Sequence, residues 1–287
     1  MDTLIIGLLL GATYCLMALG LTLQYGVARI MNLAAGEWIV VGGFAAFWSF
    51  TVQGVSPIWG FVFAVPFAFV VNWLIYQFLL TPLIRRAKSR GALEVDSILA
   101  TFGMSFIAIG LMRTAFGGEF FNYSFLSEPV LIFGSAFGLN RIAAAGVAVL
   151  FCVVLYFWLL RSRTGMAMRA LALSPASAKL VAIDVQKLSL IAFSTGGAIA
   201  AAGGVVLSTF LTLDASVGVV FTMKALIIVI MGGVGNLRGA IVAALLLGLA
   251  ESAIATWVDP GLTLAAAYLL FVLVLLVKPE GLFGTKK

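Results

Sequence analysis

Long apolar runs separated by short polar clusters organise this chain. Nine stretches approach the ~20 mainly apolar residues that a membrane-spanning helix needs. They cover about 3–24, 33–52, 57–79, 95–116, 140–160, 187–212, 217–234, 239–257 and 261–277. The apolar character runs all round each stretch, without the period-two alternation of a transmembrane barrel. The expected fold is therefore all-α, a polytopic membrane helix bundle in one domain over 1–287. The second and seventh stretches are the weakest. Both are rich in glycine and read as broken or re-entrant segments, so eight spans is the alternative count.

The polar clusters orient these runs. "RRAKSRGALEVD" carries Arg85, Arg86, Lys88 and Arg90. The stretch from Arg161 to Lys187 carries five basic residues and Asp184, and the tail carries Lys278, Lys286 and Lys287. Between Gly117 and Asn140 there are Glu119 and Glu128 and no basic residue. Nine spans place all three basic segments on one side, where the positive-inside rule wants them. The N-terminus is then expected outside and the C-terminus in the cytoplasm. No basic residue precedes the first apolar run, so it reads as a retained span rather than a cleaved signal.

Composition narrows the class. Of 287 residues, 63% are hydrophobic and 10% charged, against roughly 25% charged in a soluble domain. That is too few charges to cover a water-facing surface. The net charge of +6 follows from the basic loops and calls for no nucleic acid. Cys15 and Cys152 both fall inside apolar runs and read as small buried hydrophobes. The absence of histidine excludes imidazole bases and zinc schemes built on histidine.

An internal echo links the two halves. "YGVARIMN" follows the first span and "VGVVFTMK" follows the sixth, so that Gly26 and Met31 match Gly218 and Met223 in spacing. Five intervening spans would invert the copies, the pattern of an inverted-repeat transporter with broken segments in corresponding places. "GLLLG" and "GGAIAAAGG" mark close helix contacts.

Candidate chemistry is sparse. "GGVGNLRG" (Gly232 to Gly239) superficially resembles a phosphate loop but lacks the order G-x-x-x-x-G-K-[ST]. It reads as a kink or tight turn between spans, and no ATPase or other catalytic residue is expected. Ionisable residues in or near spans are candidates by default: Arg29, Glu37, Arg113, Lys224 and Glu251. Each has a plain structural reading. Arg29 and Lys224 can snorkel to an interface, Glu37 suits a helix N-terminus, Arg113 lies close to a span end, and Glu251 needs a hydrogen-bonding partner.

The segment Arg161–Lys187 is too long for an ordinary connection. "GMAMRALAL" places Met166, Ala170 and Leu173 along one helical side. Ser174 and Pro175 then suit a helix restart. Two short cytoplasmic helices are expected. Their many alanines suit insertion into a protein groove better than anchoring on lipid, where bulky residues serve.

Four blocks carry a resemblance across essentially the whole chain: "GLTLQYGVARIMNLAAGEWIVVGGF", "TGMAMRALALSPASAKLVAIDVQKL", "AIAAAGGVV" and "GGVGNLRGAIVAALLLGLAE". Together they resemble the LivH-type permease subunit of branched-chain amino-acid ABC importers, inner-membrane proteins of bacteria. The resemblance implies a loop over 161–187 that docks a cytoplasmic ATPase, with Gly165, Arg169, Ala170, Ala178, Ile183 and Val185 on its patterned positions. It implies two ATP-binding subunits that use ATP and Mg, a second and different permease, and a periplasmic substrate-binding protein. This chain would bind no cofactor or metal itself. Asn32 and Glu37 are the expected pathway neighbourhood, with Met31, Met223, Gly233 and Gly235 beside them. The family's usual histidine in "NLAHGE" is Ala35 here, and its usual glycine before Ile183 is Ala182. The first departure leaves urea, short amides or another small polar or aromatic compound as alternative cargo. A stand-alone ion-coupled carrier is the rival from another class.

Overall fold

Helices α1 (Asp2–Leu23) and α9 (Val185–Leu207) form the centre of the protein. The computed structural model describes residues 2–284 apart from 88, 133, 181 and 182; the readings that rest on Lys88, Ala182, Lys286 and Lys287 fall outside these. From Gly11 to Leu23 every residue of α1 is buried, and from Gly196 to Leu207 every residue of α9 is. Such helices need apolar character all round, which is what their sequences supply. They cross at Gly20 and Gly196, where a Cβ on either would meet the carbonyl oxygen of the other. Small residues are what let backbones approach this closely in lipid.

Around this pair stand α2 (Ala35–Thr51), α3 (Trp59–Ile75), α5 (Arg90–Phe116), α6 (Leu139–Arg161), α10 (Gly218–Gly232), α11 (Leu237–Trp257) and α12 (Thr263–Val277). A π turn over Tyr76–Leu80 carries α3 into α4 (Thr81–Arg86), and another over Gln24–Ala28 closes α1. Two short helices, α7 (Arg163–Leu173) and α8 (Pro175–Leu180), fill the long polar connection. Strands β1 (Pro129–Ile132) and β2 (Ser135–Gly138) pair antiparallel in the acidic loop, Val130 opposite Phe137.

Among the described residues, seven helices are long and apolar enough to cross a membrane: Asp2–Ala28, Trp59–Arg86, Gly91–Phe116, Leu139–Arg161, Val185–Leu207, Leu237–Trp257 and Pro260–Val277. The other two of the nine expected spans are α2 and α10, with 17 and 15 residues. These are the second and seventh stretches, whose glycines marked them as broken. Each short helix packs on the central helix of the opposite half, α2 on α9 and α10 on α1, and the long neighbours repeat the exchange, α11 on α1 and α3 on α9. The exchange is reciprocal between the two halves, and α10 packs on α11 and α2 as well. The echo itself falls differently: Gly26 lies in the π turn and Gly218 opens α10.

The bundle has two chemically distinct ends. At one, Tyr123 hydrogen-bonds Ser208, Asn140 donates to the Thr209 carbonyl, and Phe121 pairs with Leu213. Asp2, Glu119, Glu128, Asp214 and Asp259 belong to this end, together with Arg113 and Arg141. At the other, Gly26 meets the turn at Gly235, and Gly233 meets the tail at Gly284. Arg29, Arg161, Arg163, Arg238 and Lys278 gather there. The expected turn at "GGVGNLRG" is observed. Gly233 and Gly235 take positive φ of 100° and 79°, a region glycine enters without steric cost. Asn236 then caps α11 by accepting from Gly239 N at 3.1 Å.

Candidate functional site

The two short helices begin head to head inside the bundle. Gly36, in the first turn of α2, donates its N–H to Thr222 Oγ1 of α10 at 2.8 Å. Gly218, the first residue of α10, lies against the Glu37 carboxylate, and a Cβ there would stand 2.6 Å from Oε2. Only a glycine leaves room for that carboxylate. Glu37 is 2% exposed and so sits at the N-termini of two helices at once, where partial positive charge stabilises an anion. Ser105 of α5 donates to Oε1 at 2.9 Å. Oε2 has no hydrogen-bond partner among the described residues. A buried carboxylate with one free oxygen is poised to accept from a polar group that arrives from outside the chain.

Beside it, the backbone from Arg29 to Ala34 is irregular and held by side chains. Asn32 Nδ2 donates to Gln24 Oε1 at 3.0 Å, Gln24 Nε2 donates to the Phe193 carbonyl at 3.0 Å, and Asn32 Oδ1 accepts from Ala34 N at 3.0 Å. Thr101 of α5 accepts from Leu33 N at 3.0 Å and donates to a carbonyl, Met31 O among those within reach at 3.3 Å. Broken backbone in a membrane must be satisfied internally, and these side chains do so.

A second polar cluster joins α1, α10 and α11. Lys224 of α10 stands 2.8 Å from Glu251 Oε2 of α11 and 2.8 Å from the Tyr14 hydroxyl, which itself donates to Glu251 Oε2 at 2.8 Å. Lys224 Nζ also lies 4.9 Å from the Tyr14 ring centroid. Lys224 therefore does not snorkel as its sequence allowed; at 9% exposure it is an interior ion-pair partner. Glu251 has the partner it was expected to need. Nothing in the sequence singles out Tyr14, because a tyrosine in an apolar run looks like packing. Among the described residues no group of three or more His, Cys, Asp or Glu is placed to hold a metal ion.

The long polar connection folds as two short helices with a break at Ser174. Ser162 caps α7 by accepting from Gly165 N at 2.9 Å, Pro175 opens α8, and Asp184 caps α9 by accepting from Lys187 N at 3.0 Å. Gly165 and Ala178 are buried against the bundle, Arg169 and Ala170 are exposed, and Ile183 and Val185 are half-buried. Met168 and Leu171 anchor α7 to the bundle interior, while Met166, Leu173 and Leu180 project outward, the last two 86% and 87% exposed. Arg29 Nη2 approaches the Ala172 carbonyl at 3.5 Å, which ties α7 to the irregular segment that leads to Glu37. Arg29 holds φ of 57°, uncommon for a non-glycine residue.

Of the expected pathway residues, Asn32 and Glu37 are buried close together along one segment, with Met31 and Met223 half-buried on the two elements that meet there. Gly233 and Gly235 contact the tail and Gly26 instead. Ser105, Thr101 and Gln24 were not foreseen. A serine, a threonine and a glutamine inside apolar runs were the only available signal, and nothing in the sequence ties them to Glu37.

The profile of the family "branched-chain amino acid transport system / permease component" matches residues 3–277. The high-affinity branched-chain amino acid transport system permease protein LivH of Salmonella typhimurium is 28% identical, over 97% of this chain and 93% of that protein. LivH of Escherichia coli K12 is 28% identical over the same shares. BraD of Pseudomonas aeruginosa, also a high-affinity branched-chain amino acid permease protein, is 26% identical over 99% of this chain and 95% of its own length.

Proposed function

The chain belongs to the family of branched-chain amino acid transport system permease components, and from that premise we propose that it passes branched-chain or other apolar amino acids through the inner membrane as one half of an ATP-driven importer. It is a multi-pass membrane permease component, and its relatives are permease proteins. The observation that carries the site is the Glu37 carboxylate, buried where the N-termini of two short helices meet and with one oxygen that has no partner among the described residues. Its neighbour Asn32 is anchored through Gln24 to α9. In this reading the carboxylate and amide face the polar backbone end of an amino acid in transit, and the surrounding apolar helices accept its side chain.

ATP would be hydrolysed elsewhere, in two cytoplasmic subunits with their own Mg. A second, different permease completes the pathway, and a periplasmic binding protein selects the cargo. The exposed Met166, Arg169, Ala170, Leu173 and Leu180 form the face offered to an ATPase cleft, while Gly165 and Ala178 hold the two helices against the bundle. Arg29 carries a displacement of α7 into the segment that holds Asn32 and Glu37. Rocking of one half against the other then gives alternating access. The charge asymmetry supports an outside N-terminus and a cytoplasmic tail.

The test is isolation of the tagged chain from its native membrane in mild detergent, with partners identified by mass and the co-purifying binding protein screened against leucine, isoleucine, valine, urea and short amides. ATP-binding subunits, a second permease and tight binding of an apolar amino acid are the expected result. Recovery of the chain alone across several detergents refutes the importer reading. A binding protein selective for urea or an amide refutes the cargo assignment only. Arg169→Glu and Leu173→Asp are expected to lose the ATPase subunits while leaving the chain in the membrane.

A further inference from the structure

The turn "GGVGNLRG" carries one exposed arginine that the proposed pathway does not include. Arg238, in the first turn of α11, projects outward from the bundle and donates from Nη2 to the Tyr156 hydroxyl of α6 at 3.0 Å. Among the described residues no carboxylate pairs with it. Above this pair runs a groove of about 420 Å³ between α1, α6 and α11. Its floor is made by the small residues Ala12 and Cys15, and its walls by Cys152, Val153, Val242 and Leu245. A cavity of that size is within the range of pockets that hold small molecules, ~300–1,000 Å³. Its lining is apolar except for Tyr156 and Arg238 at one end.

The groove opens on the flank of the bundle, beside residues of α6 and α11 that are exposed, such as Leu150, Val154 and Leu246. On a membrane-spanning bundle an apolar flank of this kind faces hydrocarbon wherever no partner permease covers it. The polar end lies at the basic end of the bundle, where Arg161 also stands, 5.6 Å above the Phe157 ring next to Tyr156. No acidic residue lines the groove. An occupant must then be apolar along its length and anionic at one tip. Basic pockets between transmembrane helices at the cytoplasmic face bind acidic lipid headgroups in this manner, and arginine matches phosphate oxygens with its paired N–H groups.

We propose that this groove holds one acyl chain of an anionic phospholipid of the leaflet at the basic end, with its phosphate on Arg238 and Tyr156. Both contributors are on helices that flank α1, so a bound lipid braces α6 against α11 at the end where α7 leaves α6. The site is independent of the transport cargo and stands whether or not ATPase subunits dock.

The full chain, with whatever subunits co-purify, is stripped in detergent, exchanged into phosphatidylglycerol or phosphatidylcholine, and examined by native mass spectrometry. One retained phosphatidylglycerol per chain and no retained phosphatidylcholine is the expected result. Arg238→Ala should lower retention about fivefold, the effect of one arginine near an anionic surface. Cys152→Trp should abolish it by filling the groove while Arg238 stays in place. If either variant fails to fold, the wild-type protein still decides by competition, in which phosphatidylglycerol should displace bound phosphatidylcholine and not the reverse. Equal retention of the two lipids, unchanged retention in Arg238→Ala, or no preference in the competition overturns the proposal.

Discussion

Replacing Lys224 by methionine tests the buried ion pair directly. The lysine stands 2.8 Å from both Glu251 Oε2 and the Tyr14 hydroxyl. Glu251 is 3% exposed, and its Oε1 has no hydrogen-bond partner among the described residues. Methionine keeps most of the apolar stem and removes the charge, so packing changes little. The variant then holds an interior carboxylate that only Tyr14 stabilises. Removing one partner of a buried pair costs about 3–5 kcal/mol, whereas replacing both partners by neutral groups is often close to neutral. A chain of this size shifts its melting temperature by ~2 °C per kcal/mol. Lys224→Met should therefore melt roughly 6–10 °C lower than wild type. The double variant Lys224→Met/Glu251→Gln should recover most of that loss, because no uncompensated charge remains. The assay is size-exclusion chromatography of a fluorescently tagged chain after stepwise heating in detergent. A single variant within 2 °C of wild type, or a double variant no better than the single, refutes the view that α10 is held to α1 and α11 by a desolvated pair.

Three further outcomes follow from the geometry. Glu37→Gln should lower uptake about tenfold or more, the value of a hydrogen bond to a charged group, with the complex still assembled; normal uptake removes Glu37 from the pathway. Gly26→Val places side-chain carbon against Gly235, where even a Cβ would stand 2.6 Å from the Gly235 Cα; it should reduce the yield of folded protein, while Gly91→Val, in open space, should not. Burial pushes the Tyr123 hydroxyl up from 10.0 to about 12, partly offset by its hydrogen bond with Ser208. The folded state thus keeps a proton that the unfolded chain gives up above pH 10. The stability linked to burying the neutral hydroxyl is complete below pH 10 and lost as pH rises through about 12, so Tyr123→Phe should flatten the alkaline melting profile, and an unchanged profile would show that the hydroxyl is not protected.

The sequence by itself determined the membrane class, the helical content and the places where the helices run. Those depend on the local count of apolar residues, since a backbone in hydrocarbon has to satisfy its own hydrogen bonds. Local chemistry also gave the break at Ser174 and Pro175, the turn at Gly233 and Gly235, and the weakness of the second and seventh stretches. All of these need only a few neighbouring residues. Glu37 was legible as a carboxylate suited to a helix N-terminus. Only the tertiary structure decided that a second N-terminus, from Gly218, meets it across 181 residues of chain, and that Ser105 holds one of its oxygens. The same holds for Lys224, which the sequence allowed to snorkel and the fold instead placed between Tyr14 and Glu251. A buried charge is worth keeping only where its partner arrives from another helix, and sequence distance carries no information about which helix that will be. The outward face of α7 and α8 was likewise legible as a pattern, but its anchoring through Met168 and Leu171, and its link to Arg29 through Ala172, exist only once α1, α6 and α9 have packed.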